Sequence, residues 1–154
     1  MHYLGYSRIF IARDEKMDIV GAIRILEWNR KDTLPMTKLF SIDPFNHIVP
    51  TRCNERIWHI GRFAISSKVG RLGVVVFKIL MSSVISLICR YERGVMLSEC
   101  DSKLLRMLHL MGIAAKPLSD GIEYLGSLTI PMYVTRDGLE FFYNNHKQLS
   151  LIKH

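Results

Sequence analysis

Between Leu72 and Cys89 the only polar side chains are Lys78, Ser82, Ser83 and Ser86. A run of that length and apolarity reads either as a minimal membrane span or as a helix buried inside a folded domain. The spacing decides between them. Lys78, Ser82, Ser86 and Arg90 recur every fourth residue and fall on one narrow stripe of a helix, while Val75, Ile79, Val84, Ile85 and Ile88 cover the remaining faces. A helix surrounded by lipid has no use for such a stripe. The pattern predicts a mostly buried central helix over about Arg71 to Tyr91, and no membrane span.

The rest of the chain has to supply the surface on which that helix packs. Tyr6 to Arg13 and Asp18 to Trp28 are rich in β-branched and aromatic residues and flank the charged turn Asp14-Glu15-Lys16, which reads as a β-hairpin. Asn29 to Arg56 holds Pro35, Pro44 and Pro50 among scattered apolar residues, and reads as a long loop or a short helix. Ile57 to Ser66 is a third strand, with strict alternation placing Trp58, Ile60, Arg62 and Ala64 on one face and His59, Gly61, Phe63 and Ile65 on the other. Gly94 to Glu99 is a fourth strand. Asp101-Ser102 caps a helix carrying Leu104, Leu105, Leu108 and Met111, and Gly112 closes it. Gly121 to Thr135 is one long extended stretch interrupted by Gly126 and Pro131, followed by a short helix or tail from Gly138. The 154 residues suit a single domain over 1–154. The element order predicts an α+β fold, a mixed sheet with packed helices, in which the third, fourth and fifth strands run parallel where adjacent because helices connect them.

Charge and cysteine usage narrow the class. The chain carries 21 Lys plus Arg against 14 Asp plus Glu, and most of the excess lies in residues 51 to 100. That is a local patch for an anionic partner, with Arg52, Arg56, Lys68 and Arg71 expected to flank the turn between the third strand and the central helix. The basic residues do not alternate with exposed aromatics, which argues against a nucleic-acid module. Cys53, Cys89 and Cys100 lack paired spacing, so a reducing, cytoplasmic setting is expected.

Nucleophile elbows, H-E-x-x-H and Walker loops are all missing from the sequence. His47, Cys53 and His59 match no metal-ligand spacing, and no metal site is expected. Gly70 and Gly73 lie between a strand and a helix, where backbone amides at a helix N-terminus can hold a phosphate; a plain strand-to-helix turn accounts for the same two glycines.

Taken in order, several stretches carry a family resemblance. The strand, Gly-containing turn, helix, strand, helix core resembles the GNAT acyltransferase superfamily. In its signature R/Q-x-x-G-x-G/A, Lys68 takes the first position and Gly73 the last, while Arg71 stands where the middle glycine belongs. Val20-Gly21-Ala22-Ile23-Arg24-Ile25 with Leu34-Pro35-Met36 and Phe40 resembles a run found in acyl-homoserine-lactone (autoinducer) synthases and bacterial N-acyl amino acid synthases. Trp58-His59-Ile60-Gly61-Arg62-Phe63 is similar to their W-E-x-S-R-F strand. Met111-Gly112-Ile113, Lys116-Pro117-Leu118, Ile122-Glu123-Tyr124-Leu125-Gly126 and Ile130-Pro131-Met132-Tyr133 are similar to the ending of the N-acyl amino acid synthase and exosortase-associated acyltransferase group. Two positions depart from the pattern: His59 replaces an acidic residue and Gly61 a serine. The N-terminal helical region of such proteins is expected to be missing or shortened here, leaving apolar surface beside the first hairpin.

What the resemblance implies is an N-acyltransferase moving a fatty acyl group from an acyl carrier protein thioester to the amine of an amino acid or related small molecule. A thiolate leaves readily near neutral pH, so the missing nucleophile motifs are not needed. It implies no permanently bound cofactor, an acyl-phosphopantetheine thioester as donor, acyl carrier protein as partner, and leaves a homo-oligomer open. The catalytic candidates are His59, Glu99 and Arg62; the substrate-binding candidates are Arg24, Trp58 and Phe63; Lys68, Gly70, Arg71 and Gly73 are the candidates for the pantetheine arm. An acetyl-coenzyme A-dependent N-acetyltransferase and a non-catalytic domain that keeps the fold are the competing readings.

Overall fold

The computed structural model describes residues 7–47 and 55–152. The first hairpin is β1 (Ser7–Arg13) and β2 (Ile19–Glu27), joined by a turn in which the Asp14 side chain accepts from the amides of Lys16 and Asp18. Two short helices follow, α1 (Pro35–Phe40) and α2 (Pro44–His47). Then come β3 (Arg56–Ile65), a 3-10 segment (Ser67–Leu72), α3 (Gly73–Ile88), β4 (Gly94–Asp101) and α4 (Ser102–Leu110). The chain continues through β5 (Lys116–Pro117), β6 (Ile122–Tyr124), β7 (Ser127–Thr135) and α5 (Arg136–His146). The strands form one mixed sheet in the order β1-β2-β3-β4-β7-β5, with β6 paired to β7, and this is the α+β architecture the sequence predicts.

Helix α3 lies across one face of the sheet, where Leu80, Val84, Ile85 and Ile88 are fully buried with Ile23, Ile25, Trp58 and Met96. The segment Ser67–Ile88 is long and apolar enough to cross a membrane, yet most of it is buried against the sheet and α5. The serine stripe is used inside the fold. Ser82 Oγ of the stripe donates to the His146 carbonyl at 2.7 Å, and the adjacent Ser83 Oγ, off the stripe, accepts from the Leu151 amide at 2.9 Å, so these two serines hold the C-terminal segment, while Ser86 Oγ has no partner among the described residues. At its N-terminal end Leu72, Val74 and Val75 are exposed.

Local chemistry sets the ends of α4. The Asp101 carboxylate accepts from the Leu104 amide at 2.7 Å. At the other end Gly112, at φ +81, directs its amide to the His109 carbonyl and that of Ile113 to Leu108, a Schellman closure sealed by Leu108 and Ile113 in the core.

Two expectations about the sheet are corrected. β3 and β4 are parallel, but β7 runs antiparallel to β4, because Leu125 and Gly126 turn the expected single extended stretch into the β6-β7 hairpin and add a reversal after α4. The alternation along β3 also breaks. Ala22 pairs Ala64 but Arg24 pairs Gly61, so β3 carries an extra residue, and Arg62 sits at φ +49. Past this bulge Phe63 and Ile65 turn to the α3 face, and Arg62 and Ala64 are exposed opposite it. On that opposite face Ile9 and Ile11 are exposed, and Met17 and Ile19 lie open near the hairpin turn. Residues 1–6, on which the expected N-terminal shortening turns, are outside the described residues, as is Cys53.

Cys89 and Cys100 are buried, and desolvation pushes their thiols up to about 11 and about 12. Neither is expected to react with iodoacetamide at pH 8 in the folded protein, whereas both should be labelled at matched pH in denaturant, as peptide mass spectrometry would show. A raised folded-state pKa stabilises the fold fully below the ordinary thiol value of 9.0 and loses that contribution as pH climbs through the folded values, so stability should decline above pH 9. Labelling of either cysteine in the native state would contradict this burial.

Candidate functional site

The parallel pairing of β3 with β4 runs only from Arg56 and Gly94 to His59 and Leu97. Beyond that rung the strands diverge, and the Ser98 hydroxyl donates to the Ile60 carbonyl at 2.9 Å where a ladder bond would otherwise stand. The opening has two sides. Facing α3 it is a small apolar slot among Phe63, Met81, Met96, Cys100, Leu104 and Met132, with about 20 Å³ of free volume. Facing away from α3 it is a cleft of about 380 Å³ whose lining includes Arg24, His59, Gly61, Arg62 and Glu99, with Leu39 and Leu125 also on its wall.

His59 and Glu99 reach that cleft from neighbouring strands. Glu99 lies two residues past Leu97, the partner of His59, so both side chains project from the same face at the divergence. His59 Nε2 stands 2.9 and 3.0 Å from the two Glu99 carboxylate oxygens. An ionised carboxylate only accepts, so Nε2 carries the proton, and in the neutral ring Nδ1 is left with a lone pair. The ring is 2% exposed and Nδ1 has no hydrogen-bond partner among the described residues. A buried acceptor without a partner is costly.

Gly61 explains how Arg24 comes close. A Cβ built there would lie 3.2 Å from Arg24 Nη2, 3.2 Å from His59 Cε1 and 3.6 Å from His59 Nδ1. The guanidinium and the imidazole thus border the same small space, and a serine in place of Gly61 would force one of them to give way. Arg24 is half-buried and stands opposite Gly61 in the β2-β3 register. Arg62 enters the cleft through the bulge, exposed and with no ion pair or hydrogen bond to another described residue.

The other sequence-predicted residues lie apart from this group. Trp58 is buried in the α3 core and stacks on Tyr91 with ring centroids 5.9 Å apart. Phe63 packs edge-on against Phe77 and lines the apolar slot. Lys68, Gly70, Arg71 and Gly73 occupy the 3-10 segment and the start of α3. The Lys68 amide bonds Ser66 Oγ at 3.3 Å, Gly70 adopts φ +54, and Lys68 and Arg71 are exposed. Arg56 does not join that patch as expected. It stands at the opposite end of β3, about 30 Å away along a ten-residue strand. There its guanidinium makes two hydrogen bonds to Glu27, at 3.0 and 2.8 Å, and lies over the Tyr91 ring. Arg52 lies outside the described residues, and so does the side chain of His47. No cluster of three metal-ligating side chains occurs among the described residues.

Alternation along β3 finds His59 but not its partner, since Glu99 is 40 residues away. Gly61 is marked in the sequence only by its departure from the resembled pattern's serine, and Ser98 carries no sequence signal of its own. Leu39 and Leu125 would have been found only by knowing that α1 and the β6-β7 turn close over one cleft.

No family model matches the sequence. No curated protein matches it either. Solved structures do match the fold. TofI, in a ternary complex with an inhibitor and MTA, is 15% identical with a TM-score of 0.63, covering 93% of this chain and 72% of its own. BjaI, a CoA-dependent acyl-homoserine lactone synthase with SAM and isopentyl-CoA, is 16% identical with a TM-score of 0.64, and the match covers 90% of this chain and 64% of BjaI. FeeM, an N-acyl amino acid synthase from uncultured soil microbes, is 12% identical with a TM-score of 0.61, covering 85% of this chain and 73% of FeeM. The mixed sheet with packed helices is the acyl-CoA N-acyltransferase-like fold of these proteins.

Proposed function

We propose that this chain is an N-acyltransferase that moves a fatty acyl group from an acyl carrier protein thioester to the amine of an amino acid or related small molecule. The observation that carries the reading is the Glu99-held imidazole of His59 on the wall of a charged cleft, at the point where β3 and β4 part, with a buried Nδ1 that has no hydrogen-bond partner among the described residues. Fold likeness to acyl-transferring synthases supports the reaction class.

In this mechanism the acceptor enters the cleft as its ammonium and gives one proton to His59 Nδ1, which leaves a neutral amine. Its nitrogen then attacks the thioester carbonyl held in the strand gap. Past the last rung the facing strand edges no longer satisfy each other's amides, which supplies donors for the developing oxyanion. The C–S bond breaks, the leaving thiolate takes the proton held by the imidazolium that the Glu99 carboxylate stabilises, and the new amide nitrogen loses its remaining extra proton to water. The acyl chain extends toward the apolar slot. As it stands that slot of about 20 Å³ holds little more than one water-sized group, so Met81, Met96 and Met132 have to change rotamer to admit a chain, a movement methionine makes readily.

Incubating the protein with thioesters of acyl carrier protein and of coenzyme A, together with a mixture of amino acids, should yield N-acyl products detectable by mass spectrometry. Failure with every donor would overturn the reading, and the coenzyme A arm decides the donor. A carrier protein is acidic, and the exposed Lys68 and Arg71 beside the start of α3 provide complementary charge. The double reversal Lys68→Glu with Arg71→Glu should slow carrier association on the order of tenfold at low salt and little at high salt. The melting temperature should stay nearly unchanged, because exposed charges contribute little to stability. Carrier association indifferent to both salt and reversal would remove the carrier from the reading.

A further inference from the structure

We infer that β1 is a pairing edge, at which a second copy of this chain adds its own β1 antiparallel and joins the two sheets into one. The two edges of the sheet are built differently. The far edge is blunted: β5 is two residues long and consists of Lys116 and Pro117, and β6 is three residues long with Glu123 at its centre. At the near edge β1 runs for seven residues without a lysine, proline, glycine or acid, and no strand among the described residues pairs with its outer side. Its centre, Ile9-Phe10-Ile11-Ala12, is uncharged, and Ile9 and Ile11 are 56% and 42% exposed on the face away from α3. An open edge of this kind is a template for another strand.

A second copy is the strand that these residues fit. A two-fold axis normal to the sheet keeps each face on its own side, so only registers that oppose residues of the same face are allowed. The register centred on Phe10 uses all seven residues: Phe10 faces Phe10, Ile9 faces Ile11, Arg8 faces Ala12 and Ser7 faces Arg13. A shift by two leaves two residues of each strand outside the pairing. In the centred register β-branched side chains meet on the exposed face, and no like charges stand opposite each other. The strand ends are complementary in charge, because Arg8 of each copy comes diagonally across from Asp14 of the other, at the head of the acidic Asp14-Glu15 turn. Arg8 makes contacts within its own chain, including one over the Phe10 ring, and its five donors accommodate a carboxylate besides.

Seven residues a side is narrow against the roughly 20 of a standard interface, so a dissociation constant on the order of 10 μM is expected. Analytical ultracentrifugation of the full chain from about 1 to about 500 μM should show monomer giving way to dimer. In Ile9→Lys with Ile11→Lys the introduced lysines of the two copies face each other, and association should weaken at least about tenfold. In Ile9→Lys with Ile11→Glu each introduced lysine faces an introduced glutamate, and association should return to within about threefold of the parent. Both positions are exposed, so the melting temperature should move little in either variant. Hydrogen exchange on the parent needs no substitution: the β1 amides directed away from β2 should exchange about fivefold more slowly at the high concentration than at the low. A monomer throughout the range, a dimer indifferent to the two lysines, a dimer lost equally in both variants, or β1 exchange independent of concentration overturns the inference. None of these readouts depends on acyl transfer.

Discussion

A His59→Gln variant is expected to fold like the parent and to lose acyl transfer by roughly 10²–10⁴-fold, the range in which a positioned acid-base group contributes. The glutamine amide can still donate to Glu99, so the carboxylate keeps a partner in a site where its side chain is 12% exposed, and the fold is spared an uncompensated buried charge. What disappears is the basic ring nitrogen. The loss should fall on kcat, with the KM of the amine little changed. Glu99→Gln tests the pairing differently. A carboxamide no longer fixes which ring nitrogen is protonated, and a misplaced proton acceptor costs on the order of a hundredfold. Nitrogen NMR of the imidazole should show the Nε2-protonated tautomer in the parent and a mixture in Glu99→Gln, and a pairing that serves the reaction requires the loss of turnover to accompany that change. Undiminished turnover in folded His59→Gln would take the imidazole out of the reaction.

The parts of this fold that are legible in the sequence are those with local causes. The polar stripe of α3, the Asp101 cap and the Gly112 closure each depend on residues a few positions apart, and each is found where the pattern puts it. The direction of β7 depends on a two-residue turn with Leu125 in the first left-handed position, where Asn or Gly would have announced a hairpin. Arg62 needs the bulge as well: strict alternation assigns it to the Trp58 face, and a single extra residue moves it into the cleft. The His59–Glu99 pair is less legible still, because it forms only when two parallel strands come into register and then part. His59 and Glu99 can each be picked out singly as titratable residues on predicted strands, but their contact belongs to the tertiary structure.

The two arginines of the cleft should separate binding from stability. Arg24→Ala and Arg62→Ala are each expected to raise the KM of an amino acid acceptor roughly tenfold to a hundredfold, the range for a lost charge-assisted hydrogen bond. The KM of a simple amine without a carboxylate should hardly move. Lysine at position 24 should restore little, since a point charge does not reproduce the planar fork that reaches the space beside Gly61. If both guanidiniums hold one carboxylate, the double variant will lose less than the two single losses combined, and a double-mutant cycle measures that coupling. Arg62 allows a further separation, because its φ of +49 places a long side chain in the left-handed region that glycine adopts without strain. Arg62→Gly should therefore keep or raise the melting temperature while losing acceptor affinity as Arg62→Ala does. That combination, a more comfortable backbone with a poorer site, is the signature of a residue held in a strained conformation for its chemistry. Folded Arg24 and Arg62 variants with unaltered KM for amino acids would instead assign both guanidiniums to the fold, Arg24 to packing beside Gly61 and Arg62 to solvent.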